Sequence, residues 1–475
     1  MTTDSTQHFH DPIERILDLI ERTRFDDLPA DAVQSAVVFF LDTVGVACAG
    51  RLAPKYEELV GLLPRWGLPG EASAAVWNSG LRAPGPMAAL INGYQCHALE
   101  YDCVYEPGVI LPTPPIFGAM MAKVDELCAA GRPPSGRDLI RALVVALEVS
   151  CTLAGAARSA MFFFRPATTG VFSALAALAC LDPLPRDQLR HAFGIGYSQM
   201  GGTMQAHEEG SMMLAMQMGF SARNAVQAHD MARVGITAPV EILGGRFGFF
   251  YNFEHENALP EALAAIGQPW KVTQLSHKPF PSGRVTHGAI HAMRSLRVQL
   301  DLGPHNALQR IRAVHVDLPP LGMRLVGRPM VHHPAPNYAR LCIPFVAAAE
   351  VMVGSVDPTT FVPERLNAPD VEALARRITT AEKPHLNPNA FYPQTLTLTL
   401  DTGEVVVREI PYAWGHPQLP LSAQDREDKF RLCWRLTRPA GSENDLLLER
   451  TLDWLNRLPE ARDPQPLLDL LAARA

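Results

Sequence analysis

The sequence lacks the motifs that mark several common classes of protein. It has no run of Lys and Arg residues and carries a formal net charge of −7, so nucleic acid is not an expected partner. Neither GxGxxG after a strand nor GxxxxGK[ST] occurs, which argues against the usual nucleotide-binding loops. GxSxG is also missing, which argues against a serine hydrolase with a nucleophile elbow.

Disulfide, export and membrane signals are also missing. The eight cysteines form no CxxC pair, and most lie in apolar runs such as ALACL, which indicates buried thiols in a reducing cytosol. The N-terminal stretch MTTDSTQHFHDPIERI has no basic segment followed by an apolar one. Arg141, Glu148 and Arg158 interrupt the most apolar segment, leaving runs shorter than the ~20 residues of a membrane span. We therefore expect a cytoplasmic protein that does not cross a membrane.

Length and composition indicate a globular protein of two or three domains. The chain has 475 residues, of which 47% are hydrophobic and 19% are charged, unlike a disordered chain. From Asp11 to about Gln268, apolar stretches recur at helical spacing, as in ADAVQSAVVFFLDTVGVACAG and GVFSALAALACL. Almost no alternating strand pattern occurs there, so this part is predicted to be a bundle of about ten helices.

The pattern changes after about Val272. IRAVHVDLPP (311–320) alternates like a strand, and QTLTLTLDTGEVVVREI (394–410) is typical of a β-hairpin. Helical patterns appear in THGAIHAMRSLRVQL and DVEALARRITTAE, and roughly the last 50 residues contain amphipathic helices again. The predicted fold is mainly α with an inserted α+β domain. Its parts are helical residues 1–272, an α+β domain at 273–411, and helices at 412–475 that complete the helical domain.

The first candidate site is NGYQCHALEYDCVYEPG, residues 92–108. His97 and Glu100 are three residues apart and are predicted to share one helical face, with Asp102 and Glu106 at the helix end. Four proton-handling side chains at such a junction suit general acid–base chemistry. A solvated helix end is the competing interpretation. As a metal motif HxxE is weak, because no second histidine follows at a suitable offset.

Three further segments carry cations or histidines. Arg165 in MFFFRPATTGVF needs an anionic partner, which is either a substrate carboxylate or a structural acid. His207 in MQAHEEGSMMLAMQMGF precedes a methionine-rich helix, where an exposed helix start is the alternative. Arg328 and Tyr338 lie in the proline-rich stretch VGRPMVHHPAPNYARL, which is either an anion-binding loop or an exposed one.

The densest cluster of cations and histidines is SHKPFPSGRVTHGAIH, residues 276–291. Its prolines and glycine predict a turn before a helix. Lys278, Ser282, Arg284 and His287 are its candidate side chains. His287 and the histidine four residues later have a zinc-like spacing, but the glutamate of HExxH is missing, so no metal site is predicted.

Taken together, these segments resemble the MmgE/PrpD family, which includes 2-methylcitrate dehydratases, cis-aconitate decarboxylases and iminodisuccinate epimerase. The matching stretches include FLDTVGVACAG, AALINGYQCHALEYD, ATTGVFSALAALACL, GGRFGFFYNF, SHKPFPSGRVTHGAIHAM and YARLCIPFVAAA, in order across about 30–350. The resemblance implies a helical domain made of both chain ends, a smaller inserted α+β lid domain, and a homodimer. It also implies a site in the cleft between the domains, with no metal or organic cofactor.

The chain departs from the family pattern at several usual catalytic positions, so it resembles a divergent member. The family usually reads His-Ala-Leu-Asp in the first motif, whereas this chain has Glu100 in place of the aspartate. Histidine, histidine and lysine are usual at three other positions, which are occupied here by Leu111, by Phe164 or Arg165, and by a residue near Leu214. The lysine of the lid segment is retained as Lys278.

The resemblance implies a cofactor-independent lyase that dehydrates or decarboxylates a small di- or tricarboxylic acid. It would be a carbon–oxygen hydro-lyase like 2-methylcitrate dehydratase, or a carboxy-lyase. The expected catalytic residues are His97, Glu100, Asp102 and Lys278. The expected substrate-binding residues are Tyr105, Glu106, Arg165, His207, Ser282, Arg284, His287, Arg328 and Tyr338, with Arg340 as a further cation that suits carboxylates. An isomerase or epimerase, and an inactive member that binds a carboxylate or a partner, are the open alternatives.

Overall fold

The computed structural model describes residues 11–67, 69–70 and 73–474. Helices dominate the part before residue 272, as the recurring apolar stretches predicted. These helices are α1 (Ile13–Arg22), α2 (Ala30–Ala49), α3 (Tyr56–Val60), α4 (Leu63–Trp66), α5 (Gly85–His97), α6 (Thr113–Ala129), α7 (Gly136–Ala156), α8 (Arg165–Leu181), α9 (Arg186–Ser198), α10 (Gln205–Glu208), α11 (Met213–Arg233), α12 (Phe249–Phe253) and α13 (Leu259–Ala264).

Helices α2, α7 and α8 are buried along most of their length, which explains why their sequences are apolar on every face. Two segments, Ala30–Leu52 and Gly136–Ala156, are long and apolar enough to cross a membrane. Within them, 78% and 89% of the most apolar stretch is buried inside the protein, as in core helices. The absence of a membrane segment stays a prediction.

Helix α5, which ends at the first candidate site, is held by close contacts with α6 and α11. A Cβ added to Gly219 of α11 would lie 2.2 Å from the carbonyl oxygen of Leu90, and one added to Gly118 of α6 would lie 2.7 Å from that of Ala89. Such distances leave no room for a side chain, so glycine allows the three helices to approach closely. These contacts fix the separation of α5 from α6 and α11.

A short hairpin, β1 (Ser73–Val76) and β2 (Leu81–Pro84), precedes α5 and was not predicted from the sequence. Each strand has four residues, and the first is mostly alanine, so the alternation of apolar and polar residues is too brief to recognise. The turn between the strands places Asn78 and Gly80 at positive φ, 63° and 74°, which Asn and Gly tolerate best.

The part after residue 280 mixes helices and strands, as predicted. Its helices are α14 (His287–Gln299), α15 (Ala307–Arg310), α16 (Pro320–Val326), α17 (Pro336–Ala339), α18 (Ile343–Met352), α19 (Pro363–Leu366) and α20 (Pro369–Ala375). Its strands are β3 (Ile311–Leu318), β4 (Ile378–Glu382), β5 (Gln394–Leu400) and β6 (Val405–Ile410). They form one sheet in the order β4-β3-β5-β6, in which only β3 and β4 are parallel.

The predicted strand at 311–320 and the hairpin at 394–410 are confirmed as β3 and as β5 with β6. The helical interpretation of DVEALARRITTAE was correct only for its first half, which forms α20. The second half is strand β4, in which Ile378 is buried and pairs with Val314 of β3. The two threonines favour a strand because β-branched side chains fit a sheet.

Two large hydrophobic cores hold most of the buried apolar side chains of the described residues, and a small third cluster joins Val46, Ala49, Leu99, Tyr101 and Cys433. The larger core includes side chains from Ile13 to Leu275 and again from Phe430 to Leu471. The latter belong to α21 (Ala423–Arg435), α22 (Ser442–Asn456) and α23 (Gln465–Ala472), and α21 packs against α2. The second core is built mainly from Phe280 to Ile410. The protein is mainly α with a smaller α+β region, and the domain boundaries at 272/273 and 411/412 stay predictions.

Candidate active site

A sharp turn after α5 brings three candidate residues together. His97 is the last residue of α5, and Glu100 adopts a left-handed φ of 54°. Nδ1 of His97 lies 2.9 Å from Oδ1 of Asp102, and its Nε2 lies 3.4 Å from Oε1 of Glu100. The predicted proximity of His97 and Glu100 is correct, but it comes from the turn and not from a shared helical face. A left-handed glutamate costs about 1–2 kcal/mol of strain, which is typical of functional sites.

Lys278 reaches this turn from the segment 276–291. Val104 and Ser276 exchange two backbone hydrogen bonds of 2.9 and 2.8 Å, which join the two segments. Nζ of Lys278 donates to Oε2 of Glu100 at 2.8 Å and lies 3.7 Å from Oδ1 of Asp102. The structure thus brings all four predicted catalytic residues into one buried cluster.

Two acidic and two basic side chains meet in this cluster. Burial alone would lower the pKa of His97, but the carboxylates of Asp102 and Glu100 outweigh it and raise the pKa, which favours the protonated ring. Burial alone would raise the pKa of Glu100, but Lys278 and His97 outweigh it and lower the pKa to about 2. Asp102 and Glu100 each lie within 3.7 Å of a nitrogen of both His97 and Lys278.

A cavity of about 70 Å³ lies beside this cluster, and its apolar lining includes side chains of the second core. Glu100, Lys278 and His207 form its polar wall, with part of Arg284. The remaining wall is apolar and includes Val104, Leu111, Met161, Phe164, Leu214 and Phe391. A larger groove of about 670 Å³ lies on α22 and α23, but its charged groups are surface residues such as Arg457 and Glu460.

His207 offers a hydrogen-bond donor to the cavity. Nη2 of Arg328 donates to Nδ1 of His207 at 3.0 Å, so the ring proton is assigned to Nε2. Burial, assisted by the Arg328 charge, lowers the pKa of His207 to about 3, and the ring is neutral. Arg328 itself does not line the cavity, and it acts by orienting His207. The Tyr338 hydroxyl donates to the carbonyl oxygen of Pro329 at 2.7 Å, away from the cavity.

Arg284 lies at the cavity, but its nitrogens are occupied by the protein. Nε donates to Glu106 at 2.7 Å, Nη1 to the carbonyl oxygens of Trp414 at 2.7 Å and His277 at 3.1 Å, and Nη2 to that of Ala413 at 3.2 Å. Arg284 and Glu106 therefore neutralise each other in a structural pair that joins two loops. Arg284 can therefore bind a substrate carboxylate only if its pair with Glu106 breaks.

Two other predicted substrate-binding residues support the Arg284 segment. Nε2 of His287 lies 3.2 Å from the carbonyl oxygen of Ser282, and burial together with the Arg284 charge keeps the pKa of His287 well below its usual value. The hydroxyl of Ser282 lies 2.8 Å from that of Thr286. Both residues are outside the cavity wall.

Arg165 and Tyr105 also lie outside the cavity wall. Arg165 makes a bidentate pair with Glu254, with distances of 2.6 and 3.0 Å, and its Nη1 donates to the carbonyl oxygen of Gly108 at 3.0 Å. The anionic partner of Arg165 is therefore the structural acid Glu254, which is one of the two alternatives that the sequence left open. Tyr105 is buried beside Gly155 of α7, and burial raises the pKa of its hydroxyl.

The departures from the family pattern meet in one place. Leu111, Phe164 and Leu214 all line the same cavity, whereas Arg165 does not. The usual ionisable groups are therefore replaced by apolar side chains in the wall of the cavity that Glu100 and Lys278 also line. Sequence comparison identified each position, but only the fold shows that they share a cavity.

Arg340 is the group that the sequence analysis undervalued. It is 4% exposed, and its Nε and Nη1 have no hydrogen-bond partner among the described residues. Burial lowers its pKa to about 10, opposed by the nearby Glu100 charge. Its position in a Tyr-Ala-Arg-Leu stretch after a proline-rich loop gave only a weak signal.

Comparisons with known proteins agree with the motifs. The model of the MmgE/PrpD N-terminal domain matches residues 14–261, and that of the MmgE/PrpD C-terminal domain matches residues 280–453. The cis-aconitate decarboxylase of Mus musculus is 25% identical over 439 residues, covering 88% of this chain and 86% of that protein. That of Homo sapiens is 26% identical over 429 residues (84% and 82%), and that of Aspergillus terreus 23% over 465 residues (94% and 93%).

Proposed function

The chain belongs to the MmgE/PrpD family, and on that premise we propose that it is a cofactor-independent lyase acting on a small carboxylic acid. One observation carries the proposal. The pair of Glu100 and Lys278, with a 2.8 Å contact, forms part of the polar wall of a mostly apolar cavity. An ammonium that can hold a carboxylate and an acid that can move a proton therefore meet in a largely apolar site.

Substrate binding activates Glu100. A substrate carboxylate that enters the cavity competes with Glu100 for the Lys278 ammonium. Since Lys278 and His97 together hold the pKa of Glu100 at about 2, loss of the Lys278 contact in an apolar cavity raises the proton affinity of Glu100. Glu100 becomes a stronger base only when the acid is present.

Glu100 then moves the proton in either type of lyase reaction. In a dehydration it takes the proton from the carbon next to the carboxylate, and that proton leaves with the hydroxyl group as water when the C–O bond breaks. In a decarboxylation Glu100 is first protonated from the imidazolium of His97, 3.4 Å away, and gives the proton to the carbon that loses CO₂. Lys278 and the Nε2–H of His207 stabilise the charge that develops on the substrate.

The test is incubation with a panel of butyrate-, succinate-, citrate- and aconitate-type acids in D₂O, followed by NMR. A new alkene or released CO₂ is the expected outcome. Glu100→Gln is expected to lower the rate by about 10²–10⁴-fold, the usual contribution of general acid–base catalysis. The exposed Glu209→Gln is the matched control and is expected to leave the rate unchanged. If the wild-type protein converts none of the acids in the panel, the proposal is contradicted.

An isomerase or epimerase is the second candidate. The observation that favours it is the apolar character of Leu111, Phe164 and Leu214, which leaves one carboxylate and one ammonium at the cavity wall. Moving a proton between carbons needs one base and one acid and no expelled group. Deuterium incorporation into an acid without loss of water or CO₂ would favour this reaction over the lyase.

A further inference from the structure

Among the described residues, one buried cation near Glu100 forms no ion pair. Glu100 and Asp102 lie 2.8 to 3.7 Å from the nitrogens of His97 and Lys278. The guanidinium of Arg340 lies 4.6 Å above the ring of Phe361, and its Nε and Nη1 have no hydrogen-bond partner among the described residues. Glu100 is near enough to act on the pKa of Arg340, so a negative charge close to Glu100 would also be attracted by Arg340.

The remaining ionisable groups at the cavity are paired or neutral. Arg284 forms a buried pair with Glu106, so the two charges cancel. His207 is neutral, with its Nδ1 bound by the partly exposed Arg328. Lys278 is therefore the cavity cation that a ligand can reach, and Arg340 is a further buried cation outside the cavity wall.

Part of the cavity wall offers nothing to a second carboxylate. Leu111, Phe164 and Leu214 carry no hydrogen-bond donor on their side chains, and the cavity that they line is mostly apolar. A second ionised group placed against them would lose its hydration without a counter-charge, at a cost of several kcal/mol. An alkyl group in the same place would instead gain about 0.8 kcal/mol per buried methylene.

We propose that the cavity selects small acids that have one carboxylate and an apolar remainder over di- and tricarboxylic acids. This inference rests on the proposed function, because it takes the cavity at Glu100 and Lys278 as the substrate site. It differs from the di- or tricarboxylic substrate that the family resemblance implied.

Two matched pairs of acids test the inference on the wild-type protein. Crotonate differs from fumarate, and 3-hydroxybutyrate from malate, by a methyl group in place of a carboxylate. We expect calorimetry to give a dissociation constant at least about tenfold lower for each monocarboxylate than for its dicarboxylate, a difference of about 1.4 kcal/mol. Equal or tighter binding of fumarate and malate would overturn the inference, and so would failure of all four acids to bind.

A charge placed in the apolar wall tests the cause of the selectivity. Leu214→Lys introduces an ammonium at a buried cavity position, and Met213→Lys, the matched control, introduces it at a neighbouring residue that is 44% exposed and outside the cavity. Leu214→Lys is expected to move the preference at least about tenfold towards fumarate, and the control is expected to leave it unchanged. If Leu214→Lys does not fold, Leu111→His serves the same purpose. A folded variant with unchanged preference would contradict the inference.

Failure of the inference can be told apart from failure of the proposed function. If malate or fumarate is converted and no monocarboxylate is, the lyase activity is supported and the proposed selectivity is overturned. If crotonate binds tightly and its binding depends on Lys278, the selectivity is supported. If, in addition, no acid is converted or exchanges deuterium, the proposed lyase activity is contradicted.

Discussion

Two buried lysine–carboxylate pairs in this protein have the same contact distance and different surroundings. Lys278 lies 2.8 Å from Glu100, and Lys429 lies 2.8 Å from Asp42. Lys429 also donates to the carbonyl oxygen of Tyr101 at 2.8 Å and lies 4.2 Å above the ring of the same residue. Among the hydrogen bonds of the described residues, Lys278 has one acceptor, Glu100, and its other face borders the cavity.

This difference separates a structural pair from a functional one. Lys429 of α21 reaches Asp42 of α2, so the pair joins helices from the two ends of the chain and is closed by protein on all sides. Lys278 leaves ammonium hydrogens for a ligand. Distance and burial alone do not distinguish the two pairs, whereas the unused donors and the adjoining cavity do.

Lys278→Met gives the largest expected effect on activity. The substitution removes the cation that holds the substrate carboxylate and stabilises the developing charge. We expect kcat/KM for the acid found in the panel to fall by about 10²–10⁴-fold. Steady-state kinetics on protein shown to be folded by circular dichroism is the measurement. If kcat/KM falls by less than about threefold, Lys278 does not take part in catalysis or substrate binding.

Lys429→Met is expected to lower stability and to leave activity almost unchanged. It leaves the Asp42 carboxylate buried and unpaired, so the free energy of unfolding is expected to fall by about 3–5 kcal/mol. Activity per folded molecule is expected to change by less than about twofold, because Lys429 does not border the cavity. Urea unfolding measures the free energy of unfolding. Recovery of stability in Asp42→Asn/Lys429→Met would show that the unpaired charge caused the loss.

The pH dependence of stability reports on the charge network around Glu100. The pKa of His97 is raised above its usual value of 6.5 by Asp102 and Glu100, against the effect of burial. Its proton therefore stabilises the folded state, fully below about pH 6.5, and this contribution is lost as the pH rises through the folded pKa. Wild-type protein should lose more stability than His97→Gln when urea unfolding is repeated from about pH 6 upward. A difference that is independent of pH would contradict an imidazolium at this position.

Tyr338→Phe gives the smallest expected effect. Its hydroxyl, on the short helix α17, donates to the carbonyl oxygen of Pro329 at 2.7 Å, so the loss of stability is expected to be about 0.5–1 kcal/mol. Binding of the acid should not change, since Tyr338 does not line the cavity. A clear loss of binding by calorimetry would instead restore the substrate-binding role that the sequence predicted.

The sequence predicted the parts of the fold that carry a long periodic signal. The buried helices and the hairpin of β5 and β6 repeat their pattern over many residues. The hairpin of β1 and β2 and the strand β4 were missed because each has at most five residues, and β4 follows directly on a helical pattern. Short strands are stabilised by their partners, which a local pattern does not contain.

The site was predictable where its residues lie close in sequence. His97, Glu100 and Asp102 lie within six residues, and Lys278 was recognised in its conspicuous segment. The roles of the arginines were not predictable, because their partners are distant. Arg165 meets Glu254, 89 residues away, and Arg284 meets Glu106, 178 residues away. Whether a cation is free for a substrate depends on such contacts, which the fold alone decides.

Ligand-induced stabilisation of the two lysine variants tests the central claim most directly. Crotonate, as the monocarboxylate probe, is added to the wild-type protein, to Lys278→Met and to Lys429→Met, and the melting temperature of each is followed. The predicted result is a rise in melting temperature for the wild type and for Lys429→Met, although the latter starts from a lower value, and no rise for Lys278→Met. An equal rise in both lysine variants would contradict the assignment of Lys278 as the residue that holds the substrate carboxylate.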